Sequence, residues 1–336
     1  MIEDRSSLES PTTHVPYQVS VDEYRSFRRD GYLIARGVVS PEEIAEMKAH
    51  IEDLISGRLE VEGIEPPTPG ATLAENEQRL LRIHMMHDRI PLWERWMLHP
   101  RVLDIVAALI GPDVLAMQTM MFIKAPGSDG QGFHQDSYYI PTFPDTLIGA
   151  WIAIDPADTE NGCLWMSKGS NAEPIYPPSH GYGYGDWGLK DILEVENVGG
   201  HSNSDEDPLN GLKPVASDYK PVETPAIMEP GDVAFFGGHI LHRSLSNKTT
   251  DRTRKSFVNH YCNARSYTTW GGGNECHILA RGNTHMPYAQ PKFGTPCAAL
   301  DPKPSLSDRG AVPTMMMATP DGMMGAQPPG EEEHED

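Results

Sequence analysis

Two side chains that commonly bind iron stand two residues apart near the middle of the chain. His134 and Asp136 are separated only by Gln135. In a β-strand, side chains at positions i and i+2 point to the same face, so one imidazole and one carboxylate would project together. They would form two thirds of the 2-His-1-carboxylate set, which leaves open positions on non-haem Fe(II) for a cosubstrate and O2. A lone H-x-D motif recurs by chance, so the prediction depends on partners elsewhere in the sequence.

A candidate third ligand lies much later in the chain, after a Pro-Gly-Asp turn. Residues 229–247 read E-P-G-D-V-A-F-F-G-G-H-I-L-H-R-S-L-S-N, which predicts an apolar strand that ends in histidine. His239 and His242 compete for the role of ligand. They are three positions apart, so on one strand they face opposite ways and cannot both point inward.

A basic segment follows and offers a cation close to that histidine. Arg254 comes twelve residues after His242 and opens the predicted strand 255–261. Arg252 competes with Arg254, and the two residues would share a strand face. Two strands from distant parts of the sequence would therefore supply a third metal ligand and a cation beside it.

The elements that must position these residues are also predicted by the sequence. Capping signals at Ser20 and Ser40 predict two helices, the second of which ends near Gly57. A strand or two short ones lie between them in residues 31–39, and a third helix covers about 91–110. Further strands are predicted at 114–124, 147–154, 232–245 and 256–262, separated by Gly and Pro turns. The pattern is typical of an antiparallel sandwich or barrel.

Composition predicts the domain organisation and the class of partner. Residues 1–15 are expected to form a flexible arm, and residues 16–300 a single domain with a lid-like insert at about 170–225. Residues 301–336 are expected to be an acidic, Met- and Pro-rich disordered tail. The net charge of −21 argues against nucleic acid or an anionic membrane as a partner. No signal peptide, transmembrane run or Cys-x-x-Cys pair is visible, so we expect a cytoplasmic protein with reduced thiols.

Taken together, the motifs resemble the phytanoyl-CoA dioxygenase family over about residues 17–290. They are D-G-Y-L-I after the first helix, then H-Q-D, G-A-W, E-N-G-C-L, P-G-D-x-x-F-F, L-H-x-S-x-x-N and an R-K strand. The resemblance implies a mainly β fold, namely a double-stranded β-helix (a cupin-like jelly roll) with flanking N-terminal α-helices. It also implies Fe(II) as cofactor, with 2-oxoglutarate and O2 as cosubstrates.

The resemblance assigns a role to individual residues. His134, Asp136 and His242 would be the iron ligands and catalytic residues, because L-H-x-S favours His242 over His239. The far carboxylate of 2-oxoglutarate would pair with Arg254, whose planar guanidinium suits a bidentate grip, and with Ser244. The cosubstrate pocket would also be lined by Gln135, Trp151, Met120 or Met121, and Lys124. Substrate contacts are expected from Tyr138, Tyr139 and Trp187, whereas packed or solvated histidines are expected at His84, His87 and His260.

The implied reaction is oxidation of an unactivated C–H bond of a small-molecule substrate, with release of succinate and CO2. Asp136 favours hydroxylation, because related halogenases carry a small residue in its place. No basic cluster suits the phosphates of CoA, which favours a small soluble metabolite. One alternative is a cupin-type metal-binding isomerase, which would need no Arg254, and another is a non-catalytic ligand-binding sandwich. The sequence does not indicate the oligomeric state.

Overall fold

The computed structural model describes residues 15–176, 204, 206–208, 210–268, 270 and 277–284. Within them the α-helices are α1 Val21–Asp30, α2 Pro41–Ser56, α3 Leu73–Arg79, α4 Pro91–Met97, α5 Pro100–Ile110, α6 Asp136–Tyr139 and α7 Lys213–Asp218. The β-strands are β1 Tyr32–Ala35, β2 Arg82–His84, β3 Val114–Lys124, β4 Gln131–His134, β5 Thr142–Phe143, β6 Ile148–Ala153, β7 Leu164–Ser167, β8 Glu223–Pro225, β9 Val233–Gly237, β10 His242–Ser244, β11 Arg254–Asn263, β12 Tyr267–Thr268 and β13 Ile278–Arg281. The expected tail, most of the arm, and residues 177–203 of the insert, with Trp187, lie outside the described residues.

Capping residues start the first two helices where the sequence predicts them. At α2 the Ser40 hydroxyl accepts a hydrogen bond from the Glu43 amide, and the Glu43 carboxylate accepts one from the Ser40 amide. Two amides that have no partner inside the helix are thereby satisfied. The helix stops at Gly57, whose φ of 74° is a left-handed conformation that glycine adopts without strain. The buried face is the predicted one: Ile44, Met47, Ile51, Leu54 and Ile55.

The helical stretch predicted at 91–110 is confirmed in its extent but wrong as one helix, because α4 and α5 are separate helices. The break falls at Leu98 and His99, and the His99 ring accepts a hydrogen bond from the Val102 amide as the N-cap of α5. Pro100 takes the first position of α5, where its missing N–H costs nothing. Among the described residues, no helix has the length and apolarity needed to span a bilayer.

Two antiparallel sheets form the body of the described chain. The larger sheet has the strand order β1-β9-β6-β11-β3-β13, with β2 also paired to β3. The smaller sheet has the order β4-β10-β7-β8. Strands that are neighbours in a sheet come from distant parts of the sequence, which is the connectivity of a jelly roll. The expected double-stranded β-helix with N-terminal helices is confirmed.

The larger sheet packs on both of its faces. Its inner face carries Trp151 and Val258, which pack with Met166 of the smaller sheet. Its outer face carries Phe257, which contacts the edge of the Trp93 ring beneath the helices. Alternation along β11 therefore decides which side chains enter the space between the sheets.

The strand predicted at 232–245 is also wrong, because the segment forms two strands in different sheets. Strand β9 ends at Gly237 in the larger sheet, and β10 begins at His242 in the smaller one. The chain turns at Gly238, where a Cβ atom would lie 2.0 Å from the Ser137 hydroxyl, so glycine is required. This crossing brings His242 to the sheet that carries His134. In residues 31–39, only β1 is a strand.

Candidate active site

His134 and Asp136 lie side by side, although a strand does not carry both of them. Strand β4 ends at His134, and Asp136 begins the short helix α6. The backbone at Gln135 is still extended, with φ −122° and ψ 127°, so the two side chains project to the same side as alternation predicts. The turn into α6 leaves Asp136 Oδ1 only 3.7 Å from His134 Nε2.

His242 completes the group from the neighbouring strand. Strand β10 pairs antiparallel with β4 so that His242 is directly opposite His134, and the two ring centroids are 4.1 Å apart. The Nε2 atom of His242 is 3.8 Å from Asp136 Oδ1. All three residues are buried, and one potential ligand atom of each lies within 4.8 Å of the others.

The backbone orients both histidines. Nδ1 of His134 is 2.8 Å from the Gly132 carbonyl oxygen, and Nδ1 of His242 is 3.1 Å from the Ile240 carbonyl oxygen. A carbonyl can only accept, so each Nδ1 carries a proton, and the lone pair lies on Nε2 when the ring is neutral. Two imidazoles held in this way and a carboxylate that converge on one point fit Fe(II).

The charge of Asp136 depends on its neighbours. Burial alone would raise the pKa of this carboxyl group, but the positive charge that the His242, His260 and His134 rings carry when protonated, together with a hydrogen bond from His260, outweighs burial and holds the pKa well below its usual range. The carboxylate is therefore ionised at neutral pH, as a metal ligand must be.

His239 has a different environment from His242. Its Nε2 is 2.8 Å from Asp145 Oδ2, and its Nδ1 is 2.7 Å from the Glu173 carbonyl oxygen. Burial opposes protonation of His239, but the hydrogen bond with Asp145 raises its pKa overall. Both ring nitrogens are thus used in contacts away from the Asp136 carboxylate.

Gln135 holds the start of the insert. Its amide nitrogen donates to the carbonyl oxygens of Pro174 and His239, and its amide oxygen accepts from the Tyr176 amide. The side chain is fully buried. Both ends of the Gln135 amide therefore bond to backbone groups. The sequence predicted that this residue lines the cosubstrate pocket.

A pair of buried cations lies one step along the strands from the histidines. Ser244 follows His242 by two residues on β10, so both side chains enter the same space about 7 Å apart along the strand. Lys124 Nζ donates to Ser244 Oγ at 3.0 Å and to the Leu245 carbonyl at 2.7 Å. Arg254 is the cross-strand partner of Lys124.

Arg254 is placed to receive an anion. It is 3% exposed, donates to the Ser256 hydroxyl and the Gly162 carbonyl, and lies over the Trp151 ring, 5.2 Å from the centroid. Its Nε has no hydrogen-bond partner, and no carboxylate pairs with it in the described part of the chain. Burial lowers the pKa of Arg254 to about 10, so the guanidinium stays charged at neutral pH. A buried, partly unsatisfied cation fits the far carboxylate of 2-oxoglutarate.

Arg252, the competing arginine, points to solvent. It lies before β11 begins and forms an ion pair with Asp158, 2.6 Å between Nη1 and Oδ2. The expected shared face does not exist, because strand alternation starts only at Arg254.

Strand register also separates the two methionines. Met120 is opposite Val258, which is opposite Trp151, and all three belong to the inner cluster between the sheets. Met121 is fully buried in the outer core beneath the helices. The inner wall beside Arg254 therefore contains Met120, with Trp151 and Lys124 as the sequence predicted.

The tyrosines after the ligand strand differ in exposure. Tyr138 is buried, whereas Tyr139 is 37% exposed, and the Tyr139 ring lies edge-on to His134 at 6.3 Å between centroids. Burial raises the pKa of Tyr139, so its hydroxyl is neutral and can donate a hydrogen bond. This placement is compatible with the expected substrate contact.

His260 is the functional candidate that sequence reasoning missed. It was expected to be a packed histidine, yet its Nε2 is 3.0 Å from Asp136 Oδ2. The signal was available, because His260 lies six residues after Arg254 on β11, and an even spacing puts both side chains on one face.

Comparisons with known sequences and structures find relatives of the chain. The sequence profile described as phytanoyl-CoA dioxygenase matches residues 27–256. Rat peroxisomal phytanoyl-CoA dioxygenase is 27% identical over 81% of the chain and 74% of its own length. Phytanoyl-CoA dioxygenase domain-containing protein 1 of Danio rerio is 25% identical over 74% of the chain and 92% of its own length.

Solved structures share the fold. The carbocyclase SnoK of nogalamycin biosynthesis, described as non-haem and α-ketoglutarate-dependent, has a TM-score of 0.55 at 18% identity over 78% of the chain and 92% of its own. The epimerase SnoN in complex with Fe3+, α-ketoglutarate and nogalamycin RO has a TM-score of 0.52 at 19% identity, over 74% and 84%.

The fold and the site together define a class: a double-stranded β-helix with a 2-His-1-carboxylate group. The chain belongs to the phytanoyl-CoA dioxygenase family. It is therefore a non-haem iron oxygenase that depends on Fe(II) and 2-oxoglutarate. The family assignment does not favour the cupin-type isomerase or the non-catalytic sandwich.

Proposed function

We propose that the protein hydroxylates an unactivated C–H bond of a small molecule and converts 2-oxoglutarate and O2 to succinate and CO2. The observation that carries this proposal is the arrangement on β10. His242 belongs to a buried group of potential iron ligands, and Ser244, two residues further, accepts a hydrogen bond from the buried Lys124, whose cross-strand partner is Arg254. A five-carbon dicarboxylate has the length and charge to join the two places.

Each part of the chain has a distinct task in this proposal. His134, Asp136 and His242 hold Fe(II), which together with O2 and 2-oxoglutarate supplies the oxidising chemistry. Arg254 and Lys124 bind the far carboxylate and so orient the cosubstrate. Trp151 and Met120 exclude water from the inner wall. Three protein ligands leave other coordination positions for small molecules.

Asp136 supports hydroxylation as the outcome. The carboxylate is present, ionised and turned toward both histidines, so the ligand position that halogenases leave to halide is filled. Tyr138 and Tyr139 follow this ligand directly, and we assign to them the contact with substrate. The substrate is a small soluble metabolite in this proposal, since the sequence has no basic cluster for a CoA moiety.

The test is O2-dependent release of succinate by the purified protein with Fe(II), against a panel of small carboxylic acids, alcohols and amides and a fatty acyl-CoA. We expect a small metabolite to stimulate succinate release and to gain one oxygen by mass spectrometry. Stimulation by the acyl-CoA alone would contradict the substrate class. Release that is equal in wild type and His242→Ala would contradict the oxygenase assignment.

His239→Ala is the matched control for His242→Ala, because it removes a neighbouring histidine that faces Asp145 instead of Asp136. It should retain succinate release.

We also propose a cytoplasmic location, which the sequence alone supports. The rat relative, by contrast, is named peroxisomal. Subcellular fractionation of the source cells with a specific antibody tests it, and recovery with an organelle fraction would contradict it.

A further inference from the structure

His260 lies in the interior beside the candidate iron ligands. It belongs to β11, where its cross-strand partners are Gln118 on one side and Gly149 on the other. It is 2% exposed. Its even spacing from Arg254 and Val258 puts its side chain in the space between the two sheets.

The two oxygens of Asp136 have different partners. Oδ1 faces the histidine pair, 3.7 Å from His134 Nε2 and 3.8 Å from His242 Nε2. Oδ2 faces away from that pair and is 3.0 Å from His260 Nε2. A carboxylate only accepts hydrogen bonds, so Nε2 of His260 carries the proton and donates it.

The other two candidate ligands are held in a comparable way. Each of their Nδ1 atoms is fixed by a backbone carbonyl, at Gly132 for His134 and at Ile240 for His242. Such outer contacts orient metal ligands and commonly change metal affinity about 10- to 100-fold when they are removed. No backbone group in the described part of the chain holds the Asp136 carboxylate in this way, and His260 supplies the equivalent contact.

We propose that His260 is a positioning residue that holds Asp136 Oδ2, so that Oδ1 alone is offered to the metal. The inference rests on the proposed function, because it gives the hydrogen bond a purpose only if Asp136 binds iron. Without His260, the second oxygen can turn toward the metal and occupy a position that the cosubstrate needs.

The free-energy penalty of burying an imidazole at position 260 argues against a purely structural role. Its Nδ1 is buried and has no hydrogen-bond partner in the described structure. An unsatisfied buried nitrogen costs about 1–3 kcal/mol, so an apolar side chain of similar volume would serve packing better. The hydrogen bond to Asp136 is the contact for which an imidazole is needed.

Metal binding measured without turnover tests the proposal. Anaerobic titration with Mn(II), followed by calorimetry, should show that His260→Leu binds about 10- to 100-fold more weakly than wild type. His260→Gln should stay within a few-fold of wild type, because its amide nitrogen can reach the position of Nε2. His260→Asn is too short to reach Oδ2 and should resemble His260→Leu.

The control variant is Asn259→Ala on the same strand. Asn259 is fully buried with both amide atoms unpartnered, but it faces the helices rather than the space between the sheets. It should bind Mn(II) as wild type does. Bound Co(II) gives a second readout, since its visible absorption weakens as the coordination number rises. Wild type and His260→Gln should give the stronger band, and His260→Leu the weaker one.

The outcomes separate the two claims. If wild type binds neither ion, the proposed function fails. If wild type binds and folded His260→Leu binds equally well, the positioning role is overturned. Should His260→Leu not fold, the comparison of His260→Gln with His260→Asn decides, and equal affinities of these two amides overturn the proposal.

Discussion

Replacing Arg254 with methionine should separate cosubstrate binding from stability. Methionine keeps much of the side-chain volume but removes the guanidinium beneath Trp151. Removing one partner of a buried, hydrogen-bonded charge pair costs about 2–5 kcal/mol of binding free energy. Since about 1.4 kcal/mol corresponds to a tenfold change, the Kd of 2-oxoglutarate should increase by a factor between about 30 and several thousand.

The effect of the same change on folding should be small. The variant loses two hydrogen bonds, to Gly162 and Ser256, each of which contributes about 1 kcal/mol. It also removes a buried cation that has no carboxylate partner in the described structure, which relieves a desolvation cost. These terms oppose each other, so the free energy of unfolding without 2-oxoglutarate should change by no more than about 2 kcal/mol.

Thermal unfolding with Mn(II), with and without 2-oxoglutarate, measures both quantities together. Wild type should gain stability as cosubstrate is added, and Arg254→Met should gain much less at the same concentration, because its Kd is higher. Arg252→Met is the control, because the Arg252 side chain forms only an exposed ion pair with Asp158, and exposed ion pairs contribute little to stability. The reasoning is refuted if Arg254→Met keeps the stabilisation by 2-oxoglutarate or if Arg252→Met loses it.

Three further predictions concern stability, each measured by urea unfolding. Burial lowers the pKa of His277 to about 4. Below about pH 6.5 the unfolded chain binds a proton at this residue that the folded chain does not, so the free energy of unfolding should fall by about 2 kcal/mol at pH 5. His277→Leu should abolish this loss. At Gly162, φ is 80° and a Cβ would lie 2.4 Å from the Leu245 carbonyl oxygen, so Gly162→Ala should cost about 2 kcal/mol. Gln135→Leu leaves three backbone groups without their side-chain partner and should cost about 3 kcal/mol.

Each of these predictions has a contrary result. An acid dependence that survives in His277→Leu would assign it to another group. Wild-type stability in Gly162→Ala would mean that the chain near Leu245 moves aside without cost. Gly127→Ala controls for backbone strain alone, because its φ is 78° but a Cβ there meets nothing within 4 Å. Unchanged stability in Gln135→Leu would show that its three hydrogen bonds are replaced by water.

Local signals predicted much of the fold. The capping boxes at Ser20 and Ser40 use hydrogen bonds within three residues, so they can be read without tertiary information. The choice of Arg254 over Arg252 also agrees with strand order, since only Arg254 lies on β11. Motif resemblance supplied His242, whose partners His134 and Asp136 lie far earlier in the chain.

Long-range packing decided what the sequence could not predict. Where the chain passes from one sheet to the other, a Cβ atom on Gly238 would lie against the Ser137 hydroxyl, and that contact joins residues far apart in sequence. Packing also separates Met120 from Met121, which are neighbours in sequence. Met120 enters the cluster between the sheets, and Met121 enters the core beneath the helices. Alternation along β11 predicts that His260 faces the space between the sheets. Only the packing of β11 against α6 shows that it contacts Asp136.

Anaerobic calorimetry of Fe(II) and 2-oxoglutarate binding tests whether the three ligands and the buried cations form one working site. We expect one Fe(II) per chain, followed by one 2-oxoglutarate that binds only when the metal is present. His134→Ala and His242→Ala should abolish metal binding, and His239→Ala should preserve it. Fe(II) binding that persists in His134→Ala and His242→Ala, or 2-oxoglutarate that binds equally well without metal, would contradict the account.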